Sequence, residues 1–206
     1  FSVRLQPSGI IFSNAGMASF PENKDMLFII GYLNSNIVSI VMRVLSPTLN
    51  FNAGDLKKIP INKFNDKEYD DIINESIEIS KKDWNSRETS LDFSKNELLK
   101  HQSQDLEESF DLYQQYWKNK FFQLHKNEEE LNRQFIDIYG LQDELTPEVP
   151  LEDITILKEE TDIVNGELVF DAKEVMTQFV SYAVGCMFGR YSIDKEGLIL
   201  ANQGET

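Results

Sequence analysis

The sequence carries one cysteine, Cys186, among 206 residues. A lone thiol excludes an internal disulfide and a multi-thiolate metal site. It fits a reducing compartment, so a cytoplasmic protein is expected. Histidine is almost as scarce. His101 and His125 have no acid or cysteine partner at ligand spacing, so they read as surface or interface side chains, with no metal ligand expected. The ten glycines never form the spaced loop that lets a backbone approach phosphate or a cofactor. No long apolar run is present either. The stretch Met26 to Met42 is uncharged but only 17 residues long, and Asn34, Ser35, Asn36 and Ser39 interrupt it. A span needs about 20 apolar residues, and buried amides are costly in lipid. A buried core helix is therefore expected, and no membrane partner. The chain opens at Phe1 without a methionine, and no charged-apolar-small leader pattern follows. We read this start as an edge inside a longer protein.

Positive charge is the other shortage. Lys and Arg number 20 against 35 Asp and Glu, a net charge of −15. The deficit is uneven. Residues 1–62 hold five basic and three acidic side chains, and residues 63–206 hold fifteen and thirty-two. Phosphate neutralisation supplies most non-specific nucleic-acid affinity. Only the first part is thus suited to touch DNA, while the second faces solvent or protein.

The pattern predicts a mainly α protein with a small α+β N-terminal part. Ser2–Leu5 and Gly9–Ser13 read as short extended pieces around a turn. Met26–Leu45 reads as one largely buried helix, with Asp25 placed to cap it and Pro47 ending it. Asn52-Ala53-Gly54-Asp55 is turn-like, and Leu56–Ile61 reads as a short edge strand. Helical spacing resumes from Asp66 to about Trp84, through Tyr69, Ile72, Ile73, Ile77 and Ile79 or Ser80. Ser94-Lys95-Asn96-Glu97 has the form of a capping box.

The strongest periodic signal follows. Leu106, Phe110, Tyr113, Trp117, Phe121, Leu124, Leu131, Phe135 and Ile138 are separated by 4, 3, 4, 4, 3, 7, 4 and 3 residues. This is one apolar stripe on a helix of about nine turns, ended by Gly140. Leu145–Val169 reads as a connector. Asn165-Gly166 predicts a hairpin joining Asp162–Val164 to Leu168–Phe170. A last helix opens at Asp171–Glu174 and runs to Phe188 or Tyr191. Gly185 and Gly189 stand four apart, a spacing that permits close packing. Three domains follow from these shifts, at 1–62, 63–144 and 145–206.

No Ser-His-Asp or Cys-His order can be argued. Acidic pairs such as Asp70-Asp71 and the run Glu128-Glu129-Glu130 read as solvated helix faces, since nothing around them suggests a dry cleft. Asn74-Glu75-Ser76 matches a glycosylation sequon without secretory context. No catalytic or cofactor residue is assigned. The candidate nucleic-acid contacts are Asn50, Asn52, Lys57 and Lys58. Amides can reach base edges or phosphates, and lysines can pair with phosphate. Spacing alone favours a capped turn followed by an edge strand whose lysines discourage aggregation over DNA contact.

Three blocks resemble a known family. Gly9-Ile10-Ile11-Phe12, Leu33-Asn34-Ser35 and the segment Pro47–Ile61 look like the end of a target-recognition domain. The block Phe135-Ile136-Asp137-Ile138-Tyr139-Gly140-Leu141-Gln142-Asp143-Glu144-Leu145-Thr146-Pro147-Glu148-Val149-Pro150 is the most specific. Ser181–Ser192 is the third. Together they resemble the adenine-specific DNA methyltransferases of BREX (phage growth limitation) anti-phage systems. The resemblance implies N6-adenine methylation of double-stranded DNA, with S-adenosylmethionine as donor in the parent enzyme. Such enzymes also need an Asn/Asp-Pro-Pro-aromatic loop, which is absent here, so this chain is expected to hold none of the parent's catalytic motifs. It would comprise the end of a recognition domain, a helical connector built on the long amphipathic helix, and the start of a C-terminal helical region. Other defence-system proteins are further possible partners. The alternatives are part of a fused type II restriction-methylation enzyme, or a helical protein-interaction module of a defence complex.

Overall fold

The computed structural model describes residues 2–6, 9, 18–22, 25–46, 53–61 and 69–199. It is mainly helical. The order is α1 (Met26–Leu33), α2 (Asn36–Leu45), α3 (Ala53–Leu56), α4 (Asp70–Asn85), α5 (Leu106–Tyr139), β1 (Thr161–Val164), β2 (Glu167–Phe170) and α6 (Ala172–Met187). Two compact units divide it. The first comprises Phe1–Ile77 with Lys126–Val149, and the second Glu78–His125 with Pro150–Thr206. Helices α4 and α5 each supply residues to both.

The helix expected over Met26–Leu45 is two helices, bent by 66° at Asn34–Ser35. Polar side chains make the break. Ser35 is extended (ψ 159°), and its hydroxyl accepts from the Val38 amide at 3.5 Å and donates to the Tyr32 carbonyl at 2.7 Å. It caps α2 while terminating α1. Asn34 binds Val3 from both sides, accepting from its amide at 2.9 Å and donating to its carbonyl at 3.1 Å. That pairing holds Ser2–Gln6, which lacks a strand. Asp25 precedes α1 but makes no side-chain cap bond. Gly9 is the one described residue of the second extended piece. No single described helix is long and apolar enough to cross a membrane.

The first unit closes around Tyr32, Ile37, Val38, Met42, Ile59, Tyr69, Ile73, Leu131, Phe135 and Ile136, all buried. Phe135 stands edge-on to Tyr32 and Phe28 and stacks on Tyr69 at 5.8 Å. Gly31 is the close-approach point. A Cβ there would meet Ile73 Cδ1 at 2.7 Å, which explains glycine in mid-helix despite its propensity cost.

Helix α5 has 34 residues and ends as expected. Gly140 is left-handed (φ +66°), its amide bonds to Asp137 O, and Leu141 N bonds to Ile136 O. These two bonds define a Schellman cap. The stripe is buried from Tyr113 to Phe135, Ile138 is half-buried, and Leu106 is exposed. Its seven-residue gap is filled by a polar side chain. Asn127 lies three residues after Leu124 and four before Leu131, and is buried. It donates to Glu75 Oε2 at 2.9 Å and Ser76 Oγ at 3.3 Å on α4. A buried amide is tolerated when such bonds are made. Asn132, also buried, accepts from the Asn36 amide at 2.9 Å and donates to Pro147 O at 3.3 Å.

In the second unit the capping box is corrected. Asn96, not Ser94, caps a 3-10 turn at Glu97–Lys100 by accepting from Leu98 N. The hairpin is as read. β1 and β2 pair antiparallel, Thr161 opposite Phe170, and Asn165 (φ +52°) with Gly166 (φ +80°) forms the turn. Two positive φ angles define the type I′ turn that matches strand twist. Asp171 caps α6 through Lys173 N and Glu174 N.

A charged cluster ties α4 to the segment before β1. Asp83 is 7% exposed and accepts from Leu157 N at 2.8 Å, where Leu157 is left-handed (φ +57°). Arg87 faces Asp83 at 3.6 Å, Glu159 at 2.9 Å and the buried Glu160 at 3.4 Å. Burial pushes the Asp83 carboxyl up to about 6, against the opposing pull of the Leu157 amide and Arg87.

Candidate nucleic-acid interface

Lys57 and Lys58 follow the one-turn helix α3 in the first unit. The edge strand expected over Leu56–Ile61 is not formed. Instead Lys58 N bonds to Asp55 O at 3.0 Å and Ile59 N to Leu56 O at 3.2 Å, so α3 runs on into a tight turn. Turn bonds of this kind consume the amides a strand ladder would need. Both lysines are exposed, and Ile59 between them and Pro60 is buried.

Two tyrosines hold the turn from beneath. Tyr32 Oη donates to Pro60 O at 2.7 Å, and Tyr139 Oη donates to the same oxygen at 2.9 Å. Their rings stack at 5.4 Å, nearly parallel. One carbonyl thus joins α1, the lysine turn and the end of α5. Burial, and hydrogen bonding to Tyr139, raise the Tyr32 phenol well above its ordinary value, so it donates at any physiological pH. Neither tyrosine was a candidate from sequence, because contact across 28 and 79 residues leaves no local signal.

The electrostatics are weaker than two lysines suggest. Lys58 Nζ pairs with Asp55 Oδ1 at 3.0 Å, and Asp55 is buried. The i, i+3 spacing was the available sign of this pair. Lys57 therefore supplies the turn's uncommitted cation among the described residues. Asn50 and Asn52 lie outside the described residues.

The second unit has an open cleft of about 480 Å³, lined by Lys81, Lys82, Lys100, His101, Tyr116 and Trp117 together with Glu78, Asp92 and Glu97. Lys100 pairs with Glu97. His101 packs on Tyr116 at 4.8 Å, and burial lowers its pKa, so it is neutral at pH 7. Three lysines against three carboxylates give no net field for an anion. Among the described residues no group of three or more His, Cys, Asp or Glu is placed to hold a metal.

Comparison with known proteins decides the relationship. The adenine-specific methyltransferase PglX of Lacticaseibacillus casei (strain Zhang) is 39% identical over 207 residues, covering 98% of this chain. The adenine-specific methyltransferase BrxX of Escherichia coli O9:H4 (strain HS) is 36% identical over 211 residues, covering 99%. The chain is homologous to one segment of the PglX and BrxX adenine-specific methyltransferases. It spans 16% and 17% of their lengths, about one sixth. No family model matches it. The likeness to PglX and BrxX runs through both units, so the aromatic core, the lysine turn and α6 all fall within the matched segment.

Proposed function

We propose that this chain is a non-catalytic segment of a site-specific DNA adenine-N6 methyltransferase of a phage-defence system. The observation that carries the reading is the match across nearly the whole chain to one sixth of PglX and BrxX. The sequence has neither a glycine-rich cofactor loop nor an Asn/Asp-Pro-Pro-aromatic loop. S-adenosylmethionine binding and methyl transfer then belong to other parts of the parent enzyme, which acts in the cytoplasm on double-stranded DNA. Residues 1–62 contribute the end of target recognition, with Lys57 and Lys58 on phosphate and Asn50 and Asn52 as further contacts. Residues 63–144 form a helical connector in which α5 acts as a stiff strut. Residues 145–206 begin the C-terminal helical region, where other defence proteins can dock.

The test uses the full-length methyltransferase. Each phosphate contact contributes about 0.9 to the slope of log K against log salt on duplex DNA. Lys57→Ala should lower that slope by about 0.9 and leave folding intact. Lys81→Ala with Lys82→Ala, in the acidic part, should leave it unchanged. An unaltered slope for Lys57→Ala refutes the recognition role. Methylation of adenine, assayed on the same enzyme, tests the parent activity.

A further inference from the structure

Pro60 is exposed, yet its carbonyl oxygen accepts hydrogen bonds from two phenols. An exposed carbonyl needs neither, because water satisfies it almost as well. Satisfaction explains only one of the two donors. Tyr32 is fully buried, so its hydroxyl must find an acceptor inside the protein. Tyr139 is half-buried, and its bond to the same oxygen is made at the surface. That second bond adds little to stability. What it adds is position.

The position it sets is that of Lys57, three residues before Pro60. The intervening residues are tied down. Lys58 N bonds to Asp55 O, Ile59 N bonds to Leu56 O, and the Lys58 ammonium is drawn to Asp55. Ile59 is 5% exposed and packs in one core with Tyr32 and Phe135. The rings of Tyr32 and Tyr139 lie 5.4 Å apart and 3° from parallel, and both hydroxyls reach one oxygen. Phe135, one turn before Tyr139 on α5, stands edge-on to Tyr32 at 5.5 Å. All of these groups belong to the first unit. A cation three residues from a doubly anchored carbonyl is presented in one place before any ligand arrives. Such preorganisation raises affinity by removing an ordering cost from binding.

We infer that Tyr32 and Tyr139 are positioning residues for the phosphate contact, and that through the Pro60 carbonyl they fix where Lys57 meets duplex DNA. This rests on the reading of Lys57 as a phosphate contact. It adds that α1 and the last turn of α5, neither of which carries a basic residue, act on DNA binding through the turn they hold. Each phenol holds the carbonyl when the other is lost, so the effect appears only when both hydroxyls go.

The test uses the full-length methyltransferase and duplex DNA at fixed salt. Tyr32→Phe with Tyr139→Phe keeps both rings and removes both hydroxyls. Water takes the freed carbonyl, so the fold persists. DNA affinity should fall about two- to tenfold, the range for ordering one or two side chains on binding. Either single change should alter it less than about twofold, since one donor remains. On a Lys57→Ala background the double change should have no further effect. Deuterium uptake at the Lys58 and Ile59 amides should rise in the double variant and in neither single one. An equal loss of affinity with and without Lys57 would make the role merely structural and overturns the inference. Unchanged uptake or unchanged affinity in the double variant overturns it as well. In each of these cases a lowered salt slope for Lys57→Ala keeps the functional reading. If Lys57→Ala leaves the slope unaltered, the functional reading falls and this inference falls with it.

Discussion

Asp83 makes this protein less stable as the pH rises toward neutrality, an effect opposite in sign to that of a well-paired surface carboxylate. In the folded chain its carboxyl is pushed up to about 6 from an ordinary 3.8, with burial the leading cause and Glu160 adding to it. The folded state therefore binds this proton more tightly than the unfolded chain does. The contribution is fully present below about pH 4 and is lost as pH rises through about 6. Between pH 4.5 and 7.5 the loss amounts to about 2 kcal/mol, from 1.36 kcal/mol per unit difference. Asp83→Asn isolates the term, because the amide oxygen can still accept from Leu157 N while the charge is gone. Urea unfolding, followed by tryptophan fluorescence at several pH values, should show the variant gaining about 2 kcal/mol on the native protein over that range. The other carboxylates titrate in both proteins and cancel. Asp83→Ala should instead lie about 1–3 kcal/mol below Asp83→Asn at every pH, since the Leu157 amide is left without an acceptor. A stability difference between the native protein and the Asp83→Asn variant that does not change with pH would refute the reasoning. So would a variant that loses ground as pH rises, which would mean that Arg87 outweighs burial.

Other substitutions probe the packing. Trp117→Ala should cost about 3–5 kcal/mol in urea unfolding, the range for truncating a buried aromatic, because Trp117 is 1% exposed. Trp117→Phe should cost far less, since the indole N–H has no partner among the described residues. Gly31→Ala should destabilise by about 1–2 kcal/mol, overpacking against Ile73 outweighing the helix-propensity gain. Ile73→Val, which removes the clashing Cδ1, should rescue part of that loss in a double-mutant cycle. Gly166→Ala should cost about 1–2 kcal/mol at its left-handed position, read as a lower thermal midpoint.

The elements governed by local chemistry were legible. The α5 stripe, its Gly140 stop and the Asn165-Gly166 hairpin each depend on periodicity or on a residue's conformational range, and each stands where the sequence placed it. Elements that depend on competing hydrogen bonds were not. Met26–Leu45 has continuous apolar spacing, yet Ser35 and Asn34 have short side chains that bond their own backbone and break it. Leu56–Ile61 has strand-like composition, but the Asp55 and Leu56 carbonyls capture the next amides into a turn. The gap in the α5 stripe was visible as a spacing of seven. That it marks a buried amide became clear only with Glu75 and Ser76 beside it.

The candidate interface was legible as residue types and hidden as an arrangement. Lys57 and Lys58 were singled out for their charge, and their effective charge is set by Asp55, whose burial beside Lys58 leaves Lys57 as the stronger phosphate candidate. Their position is set by Pro60 O, the shared acceptor of Tyr32 and Tyr139. Because Tyr139 closes α5 and Tyr32 sits in the bent pair α1–α2, displacing the lysine turn must strain or break bonds to both. A carbonyl that loses one of two donors keeps the other, so each single tyrosine-to-phenylalanine change leaves it satisfied. Removing both releases it. The turn is therefore held redundantly, and its coupling to the long helix runs through hydrogen bonds that only the folded chain assembles.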